Sequence, residues 1–186
     1  TTAYLMYQML NKLSIKCGYI GTIGYYLEDK VCDLPNTSPD ICEIYDMLIN
    51  AYDNDYKVVV METSSQGLAM GRLDSIKFDY ALFTNLTQDH LDYHKNMDEY
   101  WSVKRKLFVD YVNDKTVCVV NADSEKFDEI CKVCKDKIIS YGLEKGNVRF
   151  VDIQKTCGGY LTKFVFFDSE YRVKINISSR FQLYNL

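Results

Sequence analysis

Two short apolar runs, each ending in polar side chains, constrain the fold of this chain more than any other feature. The first run covers residues 58–61 and ends on Glu62, and the second covers residues 80–83 and ends on Thr84 and Asn85. Such runs are typical of buried parallel strands. Because open α/β sheets bind ligands at the carboxyl edge of their strands, we expect both polar clusters at a binding edge.

The second polar cluster continues with Asp89, His90 and Asp92. A carboxylate and an imidazole at neighbouring strand ends suit a divalent metal held near a phosphate. A single histidine is more often structural, and the residues alone leave both roles open for His90. We expect His94, four residues further on, at the surface.

A lysine lies inside an apolar helical stripe. If residues 98–111 form a helix, Lys104 has apolar residues one turn before and one turn after it, whereas Arg105 and Lys106 face elsewhere. These neighbours are Tyr100, Trp101, Leu107 and Phe108. Lys104 either extends past them to water, or takes part in chemistry or modification, because a buried lysine needs a partner or loses its charge.

Composition limits the possible classes of function. With 186 residues, 47% of them hydrophobic, the chain can bury a core as one domain. A net charge of −4 argues against a nucleic-acid binder, which usually has a basic face. No apolar run approaches the length of a membrane span and no signal-peptide pattern opens the chain. Seven scattered cysteines suit a reducing cytosol, and the pair Cys131 and Cys134 is more typical of helix packing than of a zinc site.

The remaining patterns predict further strands and helices. Residues 16–24 predict a glycine-rich strand, and Ser38 with Pro39 predicts the capped start of a helix. We expect a helix over residues 124–135, capped by Asp123 or Ser124. The other predicted strands cover residues 116–120 and 137–141, followed by alternating, antiparallel strands at 148–152, 160–167 and 171–177.

From Glu62 to Phe108 the sequence resembles the central domain of the Mur ligases, and within that family the MurE branch. It contains ETSSQGL, TNLTQDHLDYH and YWSVKRKLF, where the family has E-V-S-S-H-x-L, T-N-L-x-x-D-H-L-D-x-H and Y-x-x-A-K-x-x-L-F. The resemblance extends over essentially the whole chain. It implies an α/β fold with a P-loop-type, mostly parallel sheet flanked by helices, and a small antiparallel sheet toward the C-terminus.

The resemblance also implies roles for individual residues. Magnesium would be bound by Glu62, His90 and Lys104, and Lys104 would carry a carbamate and be catalytic. The substrate-binding residues would be Asn36, Thr37, Ser38, Ser64 and Arg72. The residues that contact ATP would be Thr1, Thr2 and Asn185. The sequence departs from the family at Gln66, where most members have histidine, and at Met70, where a glutamine contacts the substrate.

The implied activity is ATP-driven addition of the third amino acid to UDP-N-acetylmuramoyl-L-alanyl-D-glutamate, through an acyl phosphate, during peptidoglycan synthesis in the bacterial cytoplasm. Residues 1–186 would be the central domain alone, without the P-loop glycines and lysine that precede Thr1 and without the N-terminal UDP-binding and C-terminal domains. As written, the chain would bind ATP poorly and catalyse nothing. The alternatives are another Mur-type ligase, of the peptide-recycling, folylpolyglutamate or cyanophycin type, and a non-catalytic nucleotide-binding module.

Overall fold

The structure is a computed structural model, and it describes residues 1–88, 93–134 and 137–186. The described residues form two compact units. The first unit contains residues 1–76 and 93–106, and the second contains residues 77–88 and 107–186 apart from 135 and 136. No helix in the described ranges is long and apolar enough to cross a membrane.

The first unit contains a four-stranded sheet and four helices. Its strands are β1 (Cys17–Gly21), β2 (Gly24–Tyr26), β3 (Lys30–Cys32) and β4 (Val58–Met61). Its helices are α1 (Thr2–Lys12), α2 (Ile41–Asp53), α3 (Ser65–Ala69) and α4 (Met97–Arg105). The strand order is β3-β2-β1-β4, in which β1 and β4 are parallel and the other pairs are antiparallel.

The strand predicted over residues 16–24 is therefore a hairpin of two strands. Thr22 and Ile23 form its turn, and Gly24 adopts a φ of +124°, which a residue with a side chain rarely adopts. Strand β4 has the bounds predicted for the first apolar run. Because β4 is parallel to β1, Glu62 and the hairpin turn lie at the same edge of this sheet.

An aromatic cluster holds α1 on the sheet. Tyr7 and Tyr19 are buried, and Tyr4 packs edge-on against Tyr19 with 5.4 Å between the ring centroids. The Tyr7 hydroxyl donates a hydrogen bond of 2.7 Å to the Leu27 carbonyl, so it is not left unpaired. Helix α1 is amphipathic, and its apolar face covers β1.

Helix α2 begins later than predicted. Asp40 is its N-cap and Ile41 its first residue, so the prediction that Ser38 caps a helix starting at Pro39 is wrong. The Glu43 carboxylate accepts a hydrogen bond of 3.0 Å from the Asp40 amide, as in a capping box. Ser38 is left for contacts with other segments.

The second unit contains a six-stranded sheet and one α-helix. Its strands are β5 (Tyr80–Phe83), β6 (Val117–Asn121), β7 (Ile138–Gly142), β8 (Val148–Thr156), β9 (Gly159–Phe166) and β10 (Ser169–Ile175), and its helix is α5 (Phe127–Cys134). The order is β10-β9-β8-β7-β6-β5. Strands β5 to β8 are parallel, and β8 to β10 are antiparallel. The predicted α/β fold class is confirmed, and the antiparallel strands extend the parallel sheet itself.

Helix α5 starts at Phe127, three residues after the predicted start, and Asp123 has a different role from the predicted cap. Its carboxylate accepts hydrogen bonds of 2.6–3.1 Å from three consecutive amides after β7 and 3.1 Å from the Tyr184 hydroxyl. The three amides belong to Leu143, Glu144 and Lys145. Asp123 therefore joins the end of β6 to the loop after β7 and to the 3₁₀ helix Arg180–Asn185.

Candidate substrate and metal site

Glu62 follows β4, and its carboxylate is held by the hairpin turn. Thr22 donates two hydrogen bonds to Glu62 Oε2, one of 3.1 Å from its amide and one of 2.7 Å from its hydroxyl. Burial raises the pKa of Glu62, but the hydrogen bonds that its carboxylate accepts from Thr22 and Tyr19 act in the opposite direction, and the net pKa lies below its ordinary value. Glu62 is therefore ionised at neutral pH.

Gly21 allows the Glu62 carboxylate to reach Tyr19. A Cβ atom at Gly21 would lie 2.3 Å from the Tyr19 hydroxyl oxygen and 2.9 Å from Glu62 Cδ, closer than such atoms approach. Burial, and next the negative charge of Glu62, raises the pKa of Tyr19, so its hydroxyl stays protonated and donates to the carboxylate. The carboxylate thus accepts hydrogen bonds from neutral donors of Thr22 and Tyr19.

Ser38 joins the segment before α2 to β4 and α3. Its side chain is completely buried, and its hydroxyl donates to the Glu62 carbonyl at 3.2 Å. It accepts hydrogen bonds from the Ser64 amide (2.9 Å) and the Ser64 hydroxyl (3.1 Å). Ser64 in turn caps α3 by accepting from the Gly67 amide at 3.0 Å. The Ser38 hydroxyl is fully used within the chain, and its contact with substrate stays a prediction.

Arg72 also binds the segment before α2, which contains Ser38. Its Nη1 donates a hydrogen bond of 3.0 Å to the Ser38 carbonyl, and its Nε lies 3.3 Å from Asp40 Oδ1. Nε makes an ion pair with Asp40 but no hydrogen bond, because the geometry of that contact is poor. Only 13% of the Arg72 side chain is exposed, so Arg72 is a positioned cation of the site.

Thr37 and Thr1 also reach the surroundings of Glu62. The Thr37 hydroxyl oxygen lies 3.1 Å from that of Thr22, while Asn36 is exposed. The Thr1 nitrogen lies 3.5 Å from Glu62 Oε1, which places the start of α1 beside the carboxylate. A helix N-terminus attracts phosphate groups, and the contact of Thr1 and Thr2 with ATP stays a prediction.

Lys104 lies on α4, which ends at Arg105 and continues as a 3₁₀ helix (Lys106–Phe108), so the predicted helix over residues 98–111 is shorter than expected. Lys104 is half-buried, and its Nζ lies 5.2 Å from the centroid of the Tyr100 ring. Arg105 and Lys106 are exposed, which agrees with the prediction that they face away from the apolar stripe. The apolar neighbours Tyr100, Trp101, Leu107 and Phe108 are all buried.

His90 and Asn185 complete the set of predicted site residues. His90 lies outside the described residues. Asn185 is half-buried at the end of the 3₁₀ helix Arg180–Asn185 and belongs to the second unit. Asp123 holds the neighbouring Tyr184, which fixes the backbone from which Asn185 extends.

Glu62 fits one position of a magnesium site. Magnesium prefers oxygen ligands, and Glu62 is an ionised carboxylate whose Oε2 is fixed by Thr22 while Oε1 lies near the start of α1. Within the described ranges, no group of three or more His, Cys, Asp or Glu side chains forms a complete metal site. His90 and a carbamate on Lys104 stay predictions for the remaining ligands.

Sequence reasoning missed Thr22 and Tyr19 and misplaced His94. Thr22 and Tyr19 contact Glu62 from about 40 positions earlier in the chain, and no local pattern marks such a contact. The prediction that His94 is at the surface is wrong: it is 2% exposed, and its Nε2 lies 2.9 Å from the hydroxyl of Ser65. His94 also stacks on Tyr100, with 5.1 Å between the ring centroids, so it joins α3 to α4.

Replacing His94 with leucine is expected to destabilise the protein by about 1–3 kcal/mol, because the buried Ser65 hydroxyl loses its partner. The measurement is the free energy of unfolding from urea denaturation of the full-length protein. The Ser65→Ala and double variants complete a double-mutant cycle. Additive losses in the cycle would show that the hydrogen bond contributes nothing.

Parallel strands with a carboxylate at a strand end, beside the first residue of a helix, are typical of α/β domains that bind ligands at the carboxyl edge of the sheet. Comparison with known families identifies the family within this class. The chain belongs to the Mur ligase middle domain family, whose model matches residues 1–186.

Relatives agree with this assignment. The chain is 37% identical over 186 residues to a UDP-N-acetylmuramoyl-L-alanyl-D-glutamate–2,6-diaminopimelate ligase of Aquifex aeolicus, covering all of this chain and 38% of the relative. It is 36% identical to the enzyme of the same name from Fusobacterium nucleatum, covering 37% of that protein. The chain thus spans less than two fifths of the length of these relatives.

Solved structures show the same fold. A UDP-N-acetylmuramoyl-L-alanyl-D-glutamate–2,6-diaminopimelate ligase matches with a TM-score of 0.87 and 24% identity, over all of this chain and 38% of that one. The MurF ligase of Thermotoga maritima, solved in complex with ADP, matches with a TM-score of 0.70 and 18% identity, over 99% of this chain and 40% of that one.

Proposed function

We propose that the full-length protein is an ATP-dependent ligase that adds the third amino acid to UDP-N-acetylmuramoyl-L-alanyl-D-glutamate in peptidoglycan synthesis. The observation that carries this proposal is that substrate residues predicted in three separate stretches meet around Glu62. Ser38 is hydrogen-bonded to Glu62, Ser64 and Arg72. Thr37 is linked to Glu62 through the hydroxyl of Thr22. The relatives that carry this enzyme name support the proposal.

In the proposed reaction, the γ-phosphoryl group of ATP passes to the D-glutamyl carboxylate, giving an acyl phosphate and ADP. The amine of the incoming amino acid then attacks the acyl carbon, the amide bond forms, and inorganic phosphate leaves. Magnesium, when bound, would neutralise negative charge on the phosphoryl oxygens.

The residues of this chain would hold the reactants in place. Glu62 would hold the metal, with His90 and carbamylated Lys104 completing its protein ligands. Arg72 presents a largely buried cation whose guanidinium has five donors, enough to bind a substrate carboxylate beyond its contacts with Ser38 and Asp40. The start of α1, with Thr1 and Thr2, would face the phosphates, and Asn185 would contact adenine.

The fold alone does not choose among Mur-type ligases, because MurF structures share it with TM-scores of 0.70–0.74. The segment Asn36-Thr37-Ser38 and Arg72 favour the muramoyl-dipeptide as substrate. We place the enzyme in the bacterial cytoplasm, which is consistent with seven free cysteines.

The test is a phosphate-release assay on the full-length protein with ATP, magnesium, UDP-muramoyl-dipeptide and, in turn, 2,6-diaminopimelate and lysine. We expect release that requires both the dipeptide and one of the amino acids, and a product heavier by that amino acid. Omitting the dipeptide gives the control rate. Absence of turnover with every amino acid, despite measurable ATP binding, would favour another Mur-type ligase or a non-catalytic module.

A further inference from the structure

The hydroxyl groups around Glu62 form a chain with a defined direction. An ionised carboxylate only accepts hydrogen bonds, so the Thr22 hydroxyl donates its single hydrogen to Glu62 Oε2, at 2.7 Å. The Thr37 hydroxyl, 3.1 Å from Thr22 Oγ1, must therefore be the donor in that contact. The order of donation is Thr37 to Thr22 to Glu62.

The two ends of this chain belong to different proposed sites. Thr37 lies in the segment proposed to bind the muramoyl-dipeptide, and Glu62 is the proposed magnesium ligand. The neighbouring Ser38 binds the main chain of Glu62, with a hydrogen bond of 3.2 Å to its carbonyl. The segment that contains Thr37 and Ser38 is thus connected to the side chain of Glu62 through Thr22 and to the backbone of Glu62 through Ser38.

The carboxylate has little freedom to move independently of this chain. A Cβ atom at Gly21 would already lie 2.9 Å from Glu62 Cδ, so the carboxylate packs closely against the strand. Thr22 holds Oε2 with two donors, its amide and its hydroxyl. A shift of Thr22 therefore moves the metal-binding oxygen atoms with it.

We propose that Thr22 is a positioning residue that couples binding of the substrate at Thr37 to binding of the divalent metal at Glu62. This inference rests on the proposed function. Substrate bound at Thr37 restrains the existing hydrogen bonds from Thr37 through Thr22 to Glu62, and thereby keeps the carboxylate in its metal-binding position. By reciprocity, metal binding tightens substrate binding by the same factor.

The test measures binding of Mn²⁺ to the full-length protein without ATP, by the electron paramagnetic resonance signal of free Mn²⁺. The coupling ratio is the Mn²⁺ dissociation constant without UDP-muramoyl-dipeptide divided by that with saturating dipeptide. We expect a ratio of about 5 or more for the unaltered protein, the lower end of typical coupling.

Three variants separate positioning from a merely structural role. Thr22→Val removes the hydroxyl but keeps the shape, and we expect weaker Mn²⁺ binding and a ratio near one. Thr22→Ser keeps the hydroxyl and should keep most of the coupling. Thr37→Val should bring the ratio near one while Mn²⁺ binding without dipeptide stays near that of the unaltered protein, because both Thr22 hydrogen bonds to Glu62 remain. Thr156→Val, at an exposed threonine in β8, should leave the ratio unchanged.

A coupling ratio unchanged in both Thr22→Val and Thr37→Val would overturn the coupling and leave the proposed function standing. Failure of the unaltered protein to bind UDP-muramoyl-dipeptide in calorimetry would overturn the proposed function, and the coupling with it. Thermal melts of each variant verify folding, and Thr37→Val supplies the test if Thr22→Val does not fold.

Discussion

Lys104→Ala in the full-length enzyme is expected to lower the rate of phosphate release about 100- to 1000-fold, the usual cost of removing a group that stabilises charge in the transition state. Lys104 is half-buried on α4 with its Nζ over the Tyr100 ring. A carbamate there would convert the cation into an anion able to help hold magnesium. Short-chain carboxylic acids should enter the vacated space and restore part of the rate.

Lys106→Ala is the matched control, since it truncates in the same way an exposed lysine two residues further on. It should retain nearly the full rate. A Lys104→Ala enzyme with normal turnover would contradict the catalytic role of Lys104. If Lys104→Ala is inactive and carboxylic acids do not rescue it, and if the intact protein shows neither added mass nor a response to bicarbonate, the carbamate is wrong.

Gly67→Ala is expected to have the second largest effect, a loss of turnover of about 100-fold, comparable to a 1 Å misplacement of substrate-positioning groups. A Cβ atom at Gly67 would lie 2.6 Å from Ser38 Cβ and 3.1 Å from Ser64 Oγ. In an open helix, alanine would be favoured over glycine by about 1 kcal/mol. Overpacking costs about 1–3 kcal/mol and is relieved here only by displacing Ser38.

Gly158→Ala is the matched control, because nothing lies within 4 Å of a Cβ atom at that position. Turnover, the dissociation constant of the muramoyl-dipeptide, and the free energy of unfolding should be measured for both variants. We expect the Gly67 variant to lose substrate affinity and stability, and the Gly158 variant to lose neither. Equal behaviour of the two variants would show that the close packing around Ser38 has no role in binding.

The sequence was sufficient for those parts of the fold that depend on local patterns. Strands β4 and β5 have the predicted bounds, because the sequence of a buried strand is a continuous apolar run. The start of α2 was misplaced because two capping signals lie within three residues, and Asp40 with Glu43 formed the better cap. Local pattern alone does not rank such competing signals.

The site depended more on contacts between distant segments. Glu62 and Ser64 were found through a linear motif, but the hydrogen bonds from Thr22 join residues 40 positions apart. His94 was expected at the surface, yet it is buried against Ser65 and Tyr100. Such burial follows from how α3 and α4 pack, and no periodicity in the sequence encodes it.

The buried indole of Trp101 makes α4 optically observable. This chain contains a single tryptophan, and it lies 7% exposed on α4, three residues before Lys104. Indole emission moves to longer wavelengths when water reaches the ring, so loosening of α4 changes the emission of this tryptophan. Events at the lysine can thus be followed by intrinsic fluorescence, without a dye.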